Sequence, residues 1–207
     1  MPSSLNVLFK GIGVQEQNIA SNMLSAIKKA MEINYKFQET DSVVLKEMVQ
    51  DYFSSDQQQE LLSNLLDKQE WKLINCIFDI VKTEIKNKII KGINIEAVIE
   101  KTYGNELFVK IALHNEESAI KLLKFNISIL SEAANIKAKL SLIGSVYHML
   151  PITVKTAAEN IVKENSKSFI EYYNKTSHGH QTQSNLLIIA EKLFINIPQI
   201  DSSQHKF

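Results

Sequence analysis

Apolar residues recur along this chain in pairs, at the spacing expected on the faces of helices. Three segments of fourteen residues, beginning at Leu65, Ile111 and Ile161, share one arrangement. In each segment an apolar pair precedes a short polar stretch, and two further apolar pairs follow it, three residues apart. Helical spacing on both sides of a polar turn predicts a helix–turn–helix hairpin. The segments read LLDKQEWKLINCIF, IALHNEESAIKLLK and IVKENSKSFIEYYN.

The three hairpins suggest how the chain is built. A hairpin of this size cannot bury its own apolar face, whereas stacked copies can. The pattern therefore predicts an all-α fold in which stacked helix–turn–helix hairpins form a short α-solenoid. An irregular helical bundle is the alternative, because any two-helix hairpin with a short turn gives a similar pattern.

Further helices are predicted outside the first copy. Apolar residues at helical spacing predict a helix from Gln15 to about Glu32. Asp41 is the predicted N-cap of the next helix, and Ser54 begins the break before the first copy. The second helix of that copy is predicted to continue without a break to Gly92, since its apolar stripe persists that far.

Helices and turns are also predicted in the later parts of the chain. Asn94 is a candidate cap for a short helix, and Gly104 is predicted to turn the chain into the second copy. Two helical segments are predicted between the second and third copies, ending before Pro151. The segment 175–185 is the clearest predicted loop, after which Ser184 or Asn185 begins the last helix.

These elements predict a simple domain organisation. Residues 1–14 are predicted to be a loosely structured lead-in, residues 15–197 a single all-helical domain, and residues 198–207 a polar C-terminal tail. Strand signals are almost absent, because no sustained alternation is combined with turn pairs.

Charge and composition exclude several classes of function. The chain has 23 basic and 23 acidic residues, and every basic residue is lysine. Without a guanidinium the chain has no bidentate donor for phosphate or guanine, so no nucleic-acid partner is expected. No apolar stretch approaches the roughly 18 residues of a membrane span, so none is predicted.

The expected compartment follows from two further features. A single cysteine, Cys76, excludes an intramolecular disulfide and fits a reducing environment. The N-terminal apolar run has no basic region before it, unlike a Sec signal peptide. We therefore expect a cytoplasmic protein, or one exported by a route without such a signal.

Residues 104–129 resemble an ankyrin repeat. Gly104 stands where that family has its turn glycine, and Ile111-Ala112 stands at the Ala-Ala pair of the first helix. Asn115 takes the place of the glycine between the helices, and residues 120–123 match the Val-x-Leu-Leu pattern of the second. The partial matches are residues 61–78 and 157–174.

The resemblance has clear departures. The Thr-Pro and His positions of the family are occupied by Glu106, Leu107 and Val109. The copies begin at 65, 111 and 161, whereas ankyrin repeats recur at about 33 residues. The longer spacing suits HEAT- or armadillo-like hairpins, or ankyrin-like units with insertions.

What the resemblance implies is a non-enzymatic protein–protein interaction module, with another protein as its partner and no cofactor. Such modules bind through turns and helix starts. The abundance of Ile, Asn and Lys is typical of an AT-rich genome and suggests a bacterial effector-type or scaffold protein. The partner-binding residues predicted in this way are Gln69, Glu70, Trp71, Asn115, Glu116, Asn165 and Ser166.

Trp71 has two interpretations. Its equivalents in the other copies are Glu117 and Lys167, so an aromatic ring there would be an exposed anchor for a partner. Alternatively, Trp71 packs against the neighbouring helix of residues 42–53.

Two other functions remain open. One is a helical-bundle chaperone or assembly factor. The other is a metal-dependent enzyme using the loop His178-Gly179-His180, with His205 or Glu171 completing the site. The ordinary interpretation of that loop is a solvated polar segment, and no zinc motif is present.

No residue is assigned a catalytic or metal-binding role. Cys76 lies on an apolar stripe, where a free cysteine behaves as a small core residue, although a thiol–imidazole pair with His114 or His148 is conceivable. Carboxylates at Glu116-Glu117, Glu159 and Glu164 are predicted to be solvated.

Overall fold

A computed structural model shows a helical chain. Every regular element in the part of the chain that it describes is helical, which confirms the all-α prediction. The chain divides into two compact units at residues 94–95. The predicted lead-in at 1–14, the cap at Asn94 and the tail at 198–207 lie outside the described residues. The described residues are 19–93, 102–127, 129–176 and 178–197.

The first unit is organised around its third helix. That helix, α3, packs against α1, α4 and α5, while α2 packs against α4. Its Leu61, Leu62 and Leu65 are buried and form the middle of the core. The helices of this unit are α1 Ile19–Glu32, α2 Glu39–Asp51, α3 Ser55–Asp67, α4 Trp71–Ile77 and α5 Thr83–Gly92.

Reciprocal side-chain bonds explain where α2 and α3 begin. Ser54 and Gln57 each accept the other's backbone N–H, which forms a capping box and confirms the predicted break at Ser54. Asp41, predicted as an N-cap, is instead the third residue of α2. Its buried carboxylate accepts the N–H of Gln38 at 2.8 Å and the hydroxyl of Tyr35 at 3.0 Å. The N-cap is Gln38, so the helix starts three residues earlier than predicted.

The unbroken second helix predicted for the first copy is wrong. The chain forms α4 and α5 instead, separated by a turn that ends at Lys82, where the backbone is extended. Phe78 and Val81 lie within this turn and are buried. They keep the apolar stripe in phase across the break, so periodicity alone gives no sign of it.

The second unit is organised around its longest helix, α8. This helix packs against α6, α10 and α11, while α7 packs against α6 and α9, and α9 packs against α10. A 3-10 turn at Tyr147–Met149 directly continues α8, so the region predicted as two helical segments before Pro151 forms one helix with a 3-10 end. The helices are α6 Thr102–His114, α7 Glu116–Lys124, α8 Glu132–Val146, α9 Ile152–Glu164, α10 Ser166–Lys175 and α11 His180–Lys192.

Two predictions for this unit are wrong. Gly104 is not a turn residue, since it lies in the first turn of α6. The last helix begins at His180 and not at Ser184 or Asn185. Asn185 is a buried residue of α11 whose side chain donates to the carbonyl of Gly144 in α8 at 2.8 Å. A polar residue that suggested a helix start thus joins two helices.

The helix pairs do not by themselves decide the architecture. The hairpins α6–α7 and α9–α10 are the second and third copies, and they meet where α7 packs against α9. The choice between stacked repeats and an irregular bundle stays a prediction, as does the single domain proposed for residues 15–197.

Candidate interaction surface

The first predicted turn is closed by backbone bonds. After α3, the N–H of Gln69 donates to the carbonyl of Leu66, and that of Glu70 donates to Leu65. These two bonds form a Schellman motif, which requires a left-handed residue after the helix. Gln69 fills that position with φ of 54° and an exposed side chain.

Trp71 does not form an exposed anchor. It is the first residue of α4 and is only 4% exposed. The helix packs against α2 and α3, so burial of the ring favours the packing interpretation. Trp71 is therefore not an accessible part of the first turn.

The second turn is a single residue. Asn115 lies between α6 and α7, and its side chain accepts the N–H of Ser118 at 3.0 Å. Its backbone is extended, with φ of −151°, so it is an N-cap and not a left-handed turn residue. Exposed Glu116 follows at the positive end of the helix dipole.

Glu117 lies in the first turn of helix α7, and its carboxylate pairs with the ammonium of Lys121. The ammonium lies 2.7 Å from the carboxylate, on the solvent face of α7. This hydrogen bond and the lysine charge hold the pKa of Glu117 below its usual value. Glu117 therefore adds an ionised carboxylate to the start of α7 at neutral pH.

The third turn is also a single asparagine, although its bonds differ. Asn165 lies between α9 and α10, and its side-chain amide donates to the carbonyl of Ile161 at 2.8 Å. Its backbone N–H reaches the same carbonyl at 3.1 Å. Asn165 thus satisfies the end of the first helix, whereas Asn115 satisfies the start of the second. Ser166, which begins α10, is exposed.

Each turn is held by bonds within its own hairpin. The second and third turns belong to the second unit and share a one-residue link between helices, whereas the first has the three-residue link 68–70. The sequence therefore located all three turns correctly, although it missed which residue adopts the left-handed conformation.

The loop His178-Gly179-His180, considered above as the site of a metal-dependent enzyme, lies beside two tyrosines. The ring of His178 lies against Tyr172 and Tyr173, with centroid distances of 4.8 and 5.9 Å. His180 is the first residue of α11. Among the described residues, no group of three or more His, Cys, Asp or Glu side chains is placed to hold a metal ion. His205 lies outside the described residues.

Cys76 is bonded to the backbone of its own unit. Its thiol donates to the carbonyl of Ser42 at 2.8 Å.

Tyr172 is buried and Tyr173 is partly exposed.

Glu159, predicted to be solvated, is buried. Its side chain accepts the hydroxyl of Tyr147 at 2.6 Å and the ammonium of Lys192 at 2.7 Å, both at Oε1. Burial raises the pKa of Tyr147 above its usual value, and the hydrogen bond to the Glu159 carboxylate raises it further. The sequence held one signal for this burial, because Glu159 lies three residues before Val162 on the buried side of α9.

This network ties together α9, α11 and the 3-10 turn. These two bonds give the buried carboxylate its hydrogen-bond partners, and a structural role explains the arrangement.

Within the described residues, no helix combines the length and hydropathy needed to cross a bilayer. No protein-family model, curated protein or solved structure matches the chain.

Proposed function

We propose that this chain is a non-enzymatic module that binds another protein through the turns of its helical hairpins. The contact residues are Gln69 and Glu70 in the first unit and, in the second, Asn115, Glu116, Asn165 and Ser166. A bacterial effector-type or scaffold role is the setting that the composition suggests.

One observation carries the proposal. Gln69, Glu116 and Ser166 expose polar side chains at turns whose neighbouring residues are fixed by local hydrogen bonds. A turn whose backbone is held in this way loses little backbone freedom on binding, which lowers the entropic cost of association. Binding residues are also concentrated on loops that a rigid scaffold positions.

Trp71 is no longer part of the proposed surface. Its burial means that a partner would contact this ring only after the first unit had opened. The turn residues therefore have to supply recognition by polar contacts.

A second candidate is an assembly factor or chaperone built as a closed helical bundle. It is favoured by the position of α8, which packs against three other helices of its unit. This function would use the outer faces of helices and would not depend on the turns.

A pull-down with charge-matched variants tests the proposal. The bait is the tagged full-length chain, and the lysate comes from the cells that naturally produce it. Glu116→Lys combined with Ser166→Lys alters two turns, and we expect loss of the captured partner.

The matched control is Glu132→Lys combined with Thr156→Lys, since both residues are exposed on helices of the same unit. The control should capture the partner as the wild type does. Equal capture by both double variants would show that the turns are not the binding surface. Far-ultraviolet circular dichroism on all three proteins establishes that they are equally folded.

A further inference from the structure

A groove lies between α8 and α10 in the second unit. Its volume is about 220 Å³. An engineered cavity of roughly 150 Å³ holds a benzene molecule, whereas sites for drug-sized ligands are about 300–1,000 Å³. The groove is therefore the right size for one aromatic side chain. Its apolar part is formed by Ala133, Ile136, Leu140 and Tyr172.

The rim of this groove has an excess positive charge. Lys137, Glu171 and Lys175 all border it. Lys175 lies 3.7 Å from Glu171, so these two charges offset each other. Lys137 has no carboxylate within 4.0 Å among the described residues and is exposed. A fitting occupant combines an aromatic ring with a nearby carboxylate.

Such a combination is found at the end of α11. Phe194 is 96% exposed, and its backbone is left-handed, with φ of 54°. The end of α11 is closed by a Schellman motif. In this motif the N–H of Phe194 donates to the carbonyl of Glu191, and the N–H of Ile195 donates to the carbonyl of Ala190. A non-glycine residue costs about 1–2 kcal/mol in this conformation, so glycine would fit the backbone better. Neither burial nor backbone geometry therefore explains the phenylalanine.

The acidic residue belongs to the same surface as this ring. Glu191 is exposed and, together with Phe194, borders one shallow concave surface that also includes Leu187. The end of α11 thus displays an aromatic side chain, an acidic group and neighbouring apolar surface on one side.

We propose that the Phe194–Glu191 end of one copy docks into the α8–α10 groove of a second copy. The ring enters the apolar part of the groove, and the carboxylate of Glu191 meets the ammonium of Lys137. The chain has zero formal net charge, so no long-range repulsion opposes self-association.

The proposed contact joins two different surfaces of the same unit. It is therefore heterologous and either closes into a ring or continues as a chain of copies. It does not use the turn residues, so this inference and the proposed function can fail independently.

Sedimentation velocity of the purified full-length protein, from low micromolar to near-millimolar concentration, tests the proposal. We expect the weight-average mass to rise with concentration. Phe194→Gly should weaken the association about tenfold or more, because it removes the anchor side chain. Since glycine suits the left-handed backbone, this variant should be at least as stable as the wild type, and unfolding cannot explain the loss.

Charge reversal gives a second and independent arm. Glu191→Lys and Lys137→Glu should each weaken association, and the chain carrying both substitutions should recover it. Phe125→Ala is the control, because Phe125 is exposed but borders neither surface. It should associate as the wild type does.

Any of the following outcomes would overturn the proposal. They are a protein that stays monomeric at every concentration, association that Phe194→Gly leaves unchanged, and a double charge variant that does not recover. Loss of capture of a different protein by Phe194→Gly, without any self-association, would assign the same surface to another partner and would also overturn it.

Discussion

Three residues other than glycine adopt the left-handed conformation among the described residues, and each ends a helix. Asn34 follows α1, Gln69 follows α3 and Phe194 follows α11. At each one, paired backbone bonds return to the last turn of the helix. The usual residue at such a helix end is glycine, and none of these three boundaries has a glycine to mark it.

Gln69→Gly should stabilise the first unit. Glycine removes the cost of the left-handed conformation, about 1–2 kcal/mol, and loses part of that gain to the greater freedom of the unfolded chain. We expect a net gain of up to about 1 kcal/mol, measured by urea unfolding.

The control for this substitution is Gln59→Gly on the exposed face of α3. There glycine should destabilise by about 1 kcal/mol, since it lies in a helix interior. A loss of stability in Gln69→Gly would contradict the proposed geometry of the first turn.

Tyr147 should make the second unit sensitive to alkaline pH. Its pKa is raised on folding, so the folded state favours the neutral phenol. The stabilisation is complete below the unfolded value of about 10 and is lost as pH rises through the higher folded value. The thermal midpoint of the wild type should therefore fall more steeply above pH ~10 than that of Tyr147→Phe.

At neutral pH, Tyr147→Phe should cost about 1.5–3 kcal/mol, because a hydrogen bond to a charged group is lost. Glu159 keeps its bond to Lys192 in this variant. Tyr52→Phe is the control, since Tyr52 is exposed. Identical alkaline slopes for wild type and Tyr147→Phe would exclude Tyr147 as the titrating group.

The helices show which features of the fold the periodic apolar pattern predicts. It predicted the helical class, the three hairpins and the break at Ser54, because apolar spacing and capping residues are local signals. The pattern failed where tertiary contacts determine the helix boundaries. The turn between α4 and α5 contains buried Phe78 and Val81, which maintain the helical stripe. Asn185, a predicted helix start, instead donates a hydrogen bond to another helix.

The close approach of α8 and α11 gives a test at this scale. A Cβ at Gly144 would lie 3.0 Å from Thr182 Cγ2 and 3.1 Å from Leu186 Cδ2. Overpacking costs about 1–3 kcal/mol, while alanine gains about 1 kcal/mol of helix propensity over glycine. We expect Gly144→Ala to destabilise by up to about 2 kcal/mol in thermal and urea unfolding.

Gly179→Ser serves as the comparison, because a Cβ at Gly179 would meet no atom within 4 Å. Serine is a good N-cap for α11, so the change should stay within about 0.5 kcal/mol. If Gly144→Ala were stabilising, the two helices would be farther apart than described.

At the scale of the whole molecule, the candidate site was only partly predictable. The turns were found because polar residues interrupt the apolar pairs. The groove between α8 and α10 is not visible in the sequence, because it forms only when the two helices lie side by side. The exposure of Phe194 is not visible either, because the residue looks like an ordinary apolar position. Burial of Trp71 was one of two interpretations that the helical pattern allowed.

The proposed function is contact between the hairpin turns and a partner protein. Its most direct test is site-specific photo-crosslinking in the native cells, with a photoreactive residue at Ser166 and, for comparison, at Thr156 on an exposed face of α9. We predict one discrete cross-linked partner from position 166 and none from position 156. Equal labelling from both positions, or labelling from position 156 alone, would contradict the claim.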